Sequence, residues 1–100
     1  MREKRIEDHL KEGVEALGGL CEKFASPGQR GVPDRLVTLP KPVGMQLVEC
    51  KRPEGSVAPW QARDHARRAK LGVRVAVAYT LEEVDTLVHH WKLQLLGIRP

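Results

Sequence analysis

Met45-Gln46-Leu47-Val48-Glu49-Cys50-Lys51 is the stretch on which the reading of this 100-residue chain turns. Its apolar, β-prone residues predict a strand over 45–50, and the two-residue period of a strand sends Val48 and Cys50 to one face and Glu49 and Lys51 to the other. An acid and a base therefore share a face. Taken alone, such a Glu-x-Lys pair is an ion pair on a half-solvated strand.

Working back from this stretch, Pro40-Lys41-Pro42-Val43-Gly44 reads as a hairpin-like connection to a second apolar run, Arg35 to Leu39, so the two runs are expected to be adjacent antiparallel strands. Asp34 stands where a loop enters the earlier strand, and the hairpin brings it beside Glu49. Without that partner, Asp34 would be a loop-end residue bonding its local backbone. The loop itself, Ser26 to Pro33, is dense in turn formers and carries Arg30. Before it, Leu20 to Ala25 reads as a short strand. The first helix is expected over 3–17, from Ile6, Leu10, Val14 and Leu17 at helical spacing, and Gly18-Gly19 ends it.

Downstream, Arg52 to Ser56 is a loop, and Pro59 suits the first position of a helix running to about Leu71 and closed by Gly72. On that helix Ala62, Ala66 and Ala69 predict a narrow face packed on the sheet, with Arg63, Arg67 and Lys70 on the other side. Val73 to Ala78 is nearly continuous in β-prone and small residues, which predicts a central strand covered on both faces. Thr80 with Glu83 forms a capping box, and Leu81, Val84, Leu87, Val88, Trp91 and Leu95 supply the stripe of a last helix. The expected order is αβββαβα: an α/β fold, residues 1–100 as one domain, with a mixed four-stranded sheet flanked by helices.

Composition agrees with a globular protein: 41% hydrophobic and 30% charged residues. No apolar run approaches bilayer length, and the charged start Met1-Arg2-Glu3-Lys4-Arg5 lacks a following apolar stretch, so an intracellular protein is expected. A net charge of +4 is compatible with a polyanionic partner. Cys21 and Cys50 lack metal-ligand spacing and read as buried free thiols. His89 and His90, adjacent on a helix, diverge by about 100° and do not share one ion. Trp91 falls in the apolar stripe; Trp60 is open between stacking and packing.

Two carboxylates resist sharing a site unless a hard cation neutralises them, and Mg²⁺ prefers oxygen ligands. With Lys51 alongside, Asp34 and Glu49 point to metal-assisted phosphodiester hydrolysis, the ammonium orienting the nucleophile and stabilising developing charge. Gly31-Val32-Pro33-Asp34-Arg35, then Val48-Glu49-Cys50-Lys51, then Gln61, resemble the signature of the VRR-NUC nucleases, within the PD-(D/E)XK superfamily. The likeness extends through Glu3, Gly18-Gly19, Ser26-Pro27-Gly28, Gly55 and Gly72-Val73.

The resemblance implies a restriction-endonuclease-like core related to Holliday-junction resolvases. It makes Asp34, Glu49 and the Cys50 main-chain carbonyl ligands of Mg²⁺ or Mn²⁺, Lys51 the catalytic lysine and Gln61 an active-site helper. It also asks for a glutamate on the first helix, for which Glu3 and Glu7 compete. At about 100° per residue Glu3 falls within the arc of Ile6, Leu10, Val14 and Leu17 and Glu7 just outside it, which favours Glu3. Where relatives often have a serine cap before the proline, this chain has Ala58, which cannot accept from first-turn amides.

The activity so implied is a DNA endonuclease of bacterial or phage type, acting on branched DNA such as Holliday junctions as a homodimer, with a place in DNA repair. Arg30, Arg35 and Arg52 flank the motifs and are the better candidates for phosphate contacts, with Arg63 and Arg67 behind them. No array of base-reading side chains is evident, so recognition by shape is expected. The alternative is a DNA-binding module or accessory subunit that keeps the fold without cleaving.

Overall fold

The computed structural model describes residues 1–98. Its elements follow the expected order: α1 (Glu3–Ala16), β1 (Leu20–Lys23), β2 (Arg35–Thr38), β3 (Met45–Cys50), α2 (Pro59–Lys70), β4 (Val75–Ala78) and α3 (Leu81–Leu95). Each helix stops by the same device. Gly18, Gly72 and Gly97 take positive φ one residue past the cap, and the amide after each glycine donates back to the last turn, as in Gly19 N–H to Val14 O at 3.0 Å and Val73 N–H to Arg68 O at 2.9 Å. At the start of α3, Thr80 accepts from Glu83 N–H at 3.0 Å. Glu83 in turn accepts from Tyr79 N–H, also at 3.0 Å, one residue earlier than an ordinary capping box.

The strands form one mixed sheet in the order β1-β2-β3-β4. β1, β2 and β3 are antiparallel, while β4 returns through α2 to lie parallel to β3, with Glu49 opposite Val77. The expectation of a central strand from Val73 to Ala78 is corrected: the strand is Val75–Ala78, at the sheet's edge, and Val73 lies outside it and 44% exposed. The small, β-branched run reflects α2 and α3 packing against this strand rather than a strand on each side.

One face of the sheet and the helices α1 and α3 enclose the core. Ile6, Leu10 and Val14 meet Val37, Leu39, Val48, Cys50 and Ala78 from the sheet, and Val84 and Trp91 from α3. Burial of each large apolar side chain contributes about 1.5–3 kcal/mol. Trp91 is thus a core residue, as its place in the stripe implies.

α2 lies over the opposite face, the one that carries Glu49. Here a second expectation is corrected, because Ala62, Ala66 and Ala69 face solvent. The inward face is made of Gln61, Asp64, His65 and Arg68. A helix laid over a buried carboxylate and a lysine must offer polar groups to them, so its alanines turn outward.

Candidate active site

The β2–β3 register sets Arg35 opposite Val48, and carried one step further it sets Asp34 opposite Glu49. Asp34 is fixed from both sides. Its carbonyl accepts Phe24 N–H at 2.9 Å, and both carboxylate oxygens accept Cys50 N–H at 3.2 Å. The residue after β1 and the last residue of β3 together therefore hold Asp34 at the end of the hairpin.

From α1, Glu3 completes an acidic cluster: one oxygen each from Glu3, Asp34 and Glu49 lie within 4.8 Å of one another. One turn further on, Glu7 is engaged elsewhere, in a 2.7 Å ion pair with Arg35. Of the two glutamates, Glu3 is the one that lies at the cluster. Arg35, expected to contact DNA, is held by Glu7 and mostly buried, so its guanidinium is not an open phosphate contact.

Glu49 is 2% exposed and joins the acidic cluster to a group of donors. Lys51 Nζ lies 3.5 Å from its Oε2, and Gln61 Nε2 donates to the same oxygen at 3.3 Å. Gln61 Oε1 accepts Ala58 N–H at 2.9 Å, which supplies half of a capping box where Ala58 has no side chain to offer and fixes which end of the amide faces Glu49. The other carboxylate oxygen, Oε1, is buried without a hydrogen-bond partner. Lys51 N–H continues the ladder to Ala78 O at 2.9 Å, so its side chain stands on regular backbone.

Electrostatics follow from this crowding. Burial, and next the charge of Glu49, push Asp34 up to about 8, against the lowering effect of the Cys50 N–H. Burial also raises Glu49 above the ordinary carboxylate range, although Lys51 and His65 oppose it. Both carboxylates therefore favour a proton more than free ones do, and a bound cation would favour their ionised forms. Burial raises the Cys50 thiol as well, and the half-buried Cys21 likewise, which leaves both as unreactive free thiols.

Around this centre the remaining arginines differ. Arg30 lies over the Trp60 ring, 3.8 Å from its centroid, which gives Trp60 its place as a stacking surface on the rim. Arg63 and Arg52 are exposed, the latter 3.6 Å from Glu54. Arg67 and Arg68 bond the buried Asp64 at 2.9 and 2.6 Å; burial works against that carboxylate, but the two arginines outweigh it and hold it below the usual range.

The loop carrying Arg30 is seated on α2 through Gly31, whose φ is +89° and where a Cβ would fall 2.6 Å from the Trp60 carbonyl oxygen. Gly31→Ala is expected to destabilise the protein by about 1–3 kcal/mol, read as a lowered denaturant midpoint at unchanged slope. An unchanged midpoint would show that the loop is not held there.

Sequence reasoning missed His65 and Asp64. His65 Nε2 is 3.9 Å from Glu49 Oε1; its signal was the four-residue spacing from Gln61, which puts both on one helix face. Asp64 was legible only as one charge among many.

No family model matches the chain. A protein described as "Putative nuclease p44", from Acyrthosiphon pisum secondary endosymbiont phage 1, is 51% identical over 77 residues, covering 77% of this chain and 82% of the relative. A solved structure described as a VRR_NUC domain superposes with a TM-score of 0.82 at 40% identity, over 89% of this chain and 96% of the other. Relatedness at that identity and coverage, together with the shared α/β fold, makes this chain a member of the VRR-NUC nuclease family.

Proposed function

We propose that the chain is a divalent-metal-dependent DNA endonuclease that hydrolyses phosphodiester bonds in branched DNA and works as a homodimer. The observation that carries this reading is the convergence of Glu3, Asp34 and Glu49 beside Lys51. The donor set fits a hard cation: three carboxylates from different elements, two of them with raised pKa values. Mg²⁺ or Mn²⁺, held by Asp34, Glu49, the Cys50 main-chain carbonyl and Glu3, would polarise the scissile phosphate and acidify a bound water.

The chain's own groups do the rest. Lys51 orients the nucleophile and counters charge developing on the phosphate. Gln61 holds Glu49 in place. Arg30 on Trp60, with Arg52, Arg63 and Arg67, presents a basic rim suited to phosphates rather than bases, which favours recognition by shape. Dimerisation is supported by the large apolar side chains left exposed on so small a domain, among them Leu20, Met45 and Leu71.

The test is an end-labelled four-way junction and a linear duplex of the same sequence, each incubated with Mg²⁺, Mn²⁺ or EDTA. Faster cleavage of the junction, abolished by EDTA, is expected. Equal rates on both substrates would remove the branched-DNA reading, and cleavage in EDTA would remove the metal. No cleavage under any condition would leave the DNA-binding alternative.

A further inference from the structure

We propose that His65 is a positioning residue which, with Gln61, grips the Glu49 carboxylate from α2 and fixes the plane in which it meets the cation. The proposal rests on the metal-site reading above. Gln61 and His65 are one helical turn apart and reach different oxygens of the same carboxylate. Gln61 Nε2 donates to Oε2 at 3.3 Å, while His65 Nε2 faces Oε1 from 3.9 Å.

Both Oε1 and Nε2 are buried without any hydrogen-bond partner. Two such atoms opposite one another are costly to leave apart. At 3.9 Å they are not bonded, but a shift of roughly 0.7–1 Å would make an ordinary hydrogen bond. Because a carboxylate only accepts, Nε2 carries the proton, and a neutral imidazole with bare Nδ1 serves as well as a charged one.

Gln61 alone leaves the carboxylate able to turn about its last bond. Held on both oxygens, it keeps one orientation toward Glu3 and Asp34, as carboxylate ligands do when their surroundings bond them. The sheet supplies Glu49 and the helix sets its angle.

Mn²⁺ binding by this chain, followed through the EPR signal of the free ion, tests this without requiring turnover. His65→Ala and His65→Phe are expected to weaken Mn²⁺ binding about tenfold to a hundredfold, with His65→Gln, which keeps a donor of similar reach, restoring most of it. In cleavage assays the loss should fall on kcat, with KM for DNA unchanged. His65→Phe fills the space without donating, so wild-type binding by that variant would overturn the clamp in favour of simple packing. Binding by His65→Gln as weak as by His65→Phe would also overturn it. Asp34→Asn separates the two levels: if it loses Mn²⁺ while the His65 variants do not, the clamp alone fails. If it binds as wild type does, the metal site fails and the clamp with it.

Discussion

Lys51→Ala is expected to lower kcat for DNA cleavage by about 10²–10³ while leaving the fold and DNA affinity nearly intact. The side chain is 18% exposed and its Nζ stands 3.5 Å from Glu49 Oε2, close enough to act where charge develops on a phosphate. Its backbone amide is in the ladder to β4 and is untouched by the substitution. DNA affinity should change little because one phosphate contact is a small part of a multi-arginine rim. Rates measured at saturating Mg²⁺, with binding measured separately in Ca²⁺, check both halves. A variant that cleaves within a few fold of wild type would remove Lys51 from the chemistry. Lys51→Arg should not rescue fully, since a planar guanidinium does not replace a compact ammonium.

Asp34→Asn should abolish cleavage and yet stabilise the cation-free protein at alkaline pH. The sign follows from linkage. Asp34 moves from 3.8 up to about 8 on folding, so the folded state holds the proton more tightly than the unfolded chain. Stability from this group is complete below 3.8 and is lost as pH rises toward 8. Glu49 is shifted in the same direction. Asparagine removes the charge but keeps an oxygen to accept from Cys50 N–H, the bond that ties the hairpin end together.

Without divalent cation, the variant should therefore melt above wild type, with a difference that grows from pH 4 to pH 8. Each kcal/mol corresponds to about 4–8 °C for a domain of this size. Added Mg²⁺ should raise the melting temperature of wild type and not that of the variant. Melting curves that coincide at every pH would show that Asp34 is not strained by its neighbours.

The site that motivates both experiments was legible where it lies on regular backbone. The alternation Val48-Glu49-Cys50-Lys51 gave the acid and the base one face, and the proline-glycine connection before it made Asp34 a neighbour of Glu49. α1 was legible through its stripe, and helical geometry favoured Glu3 over Glu7. α2 was not. Its alanines look like a packing face, and only the polar lining beneath the helix shows why Gln61, Asp64, His65 and Arg68 turn inward instead.

The other departures have the same origin in tertiary partners that local pattern does not encode. Val73 to Ala78 reads as central because it is nearly continuous in β-prone and small residues, but the place of its strand at the edge depends on how many strands the chain supplies beyond it. Arg35 reads as a DNA contact because it adjoins Asp34; strand alternation sends it to the α1 side of the sheet, where Glu7 takes it. His65 was passed over because its spacing from Gln61 gains meaning only from the carboxylate opposite.

The central claim is that Glu3, Asp34 and Glu49 hold one catalytic cation, and anomalous diffraction from an Mn²⁺-soaked crystal tests it most directly. One strong peak is expected within coordination distance, roughly 2.0–2.3 Å, of an oxygen from each of the three carboxylates, with the Cys50 carbonyl as a further ligand. A soaked crystal with no peak there, or with the ion held by other residues, would contradict the account.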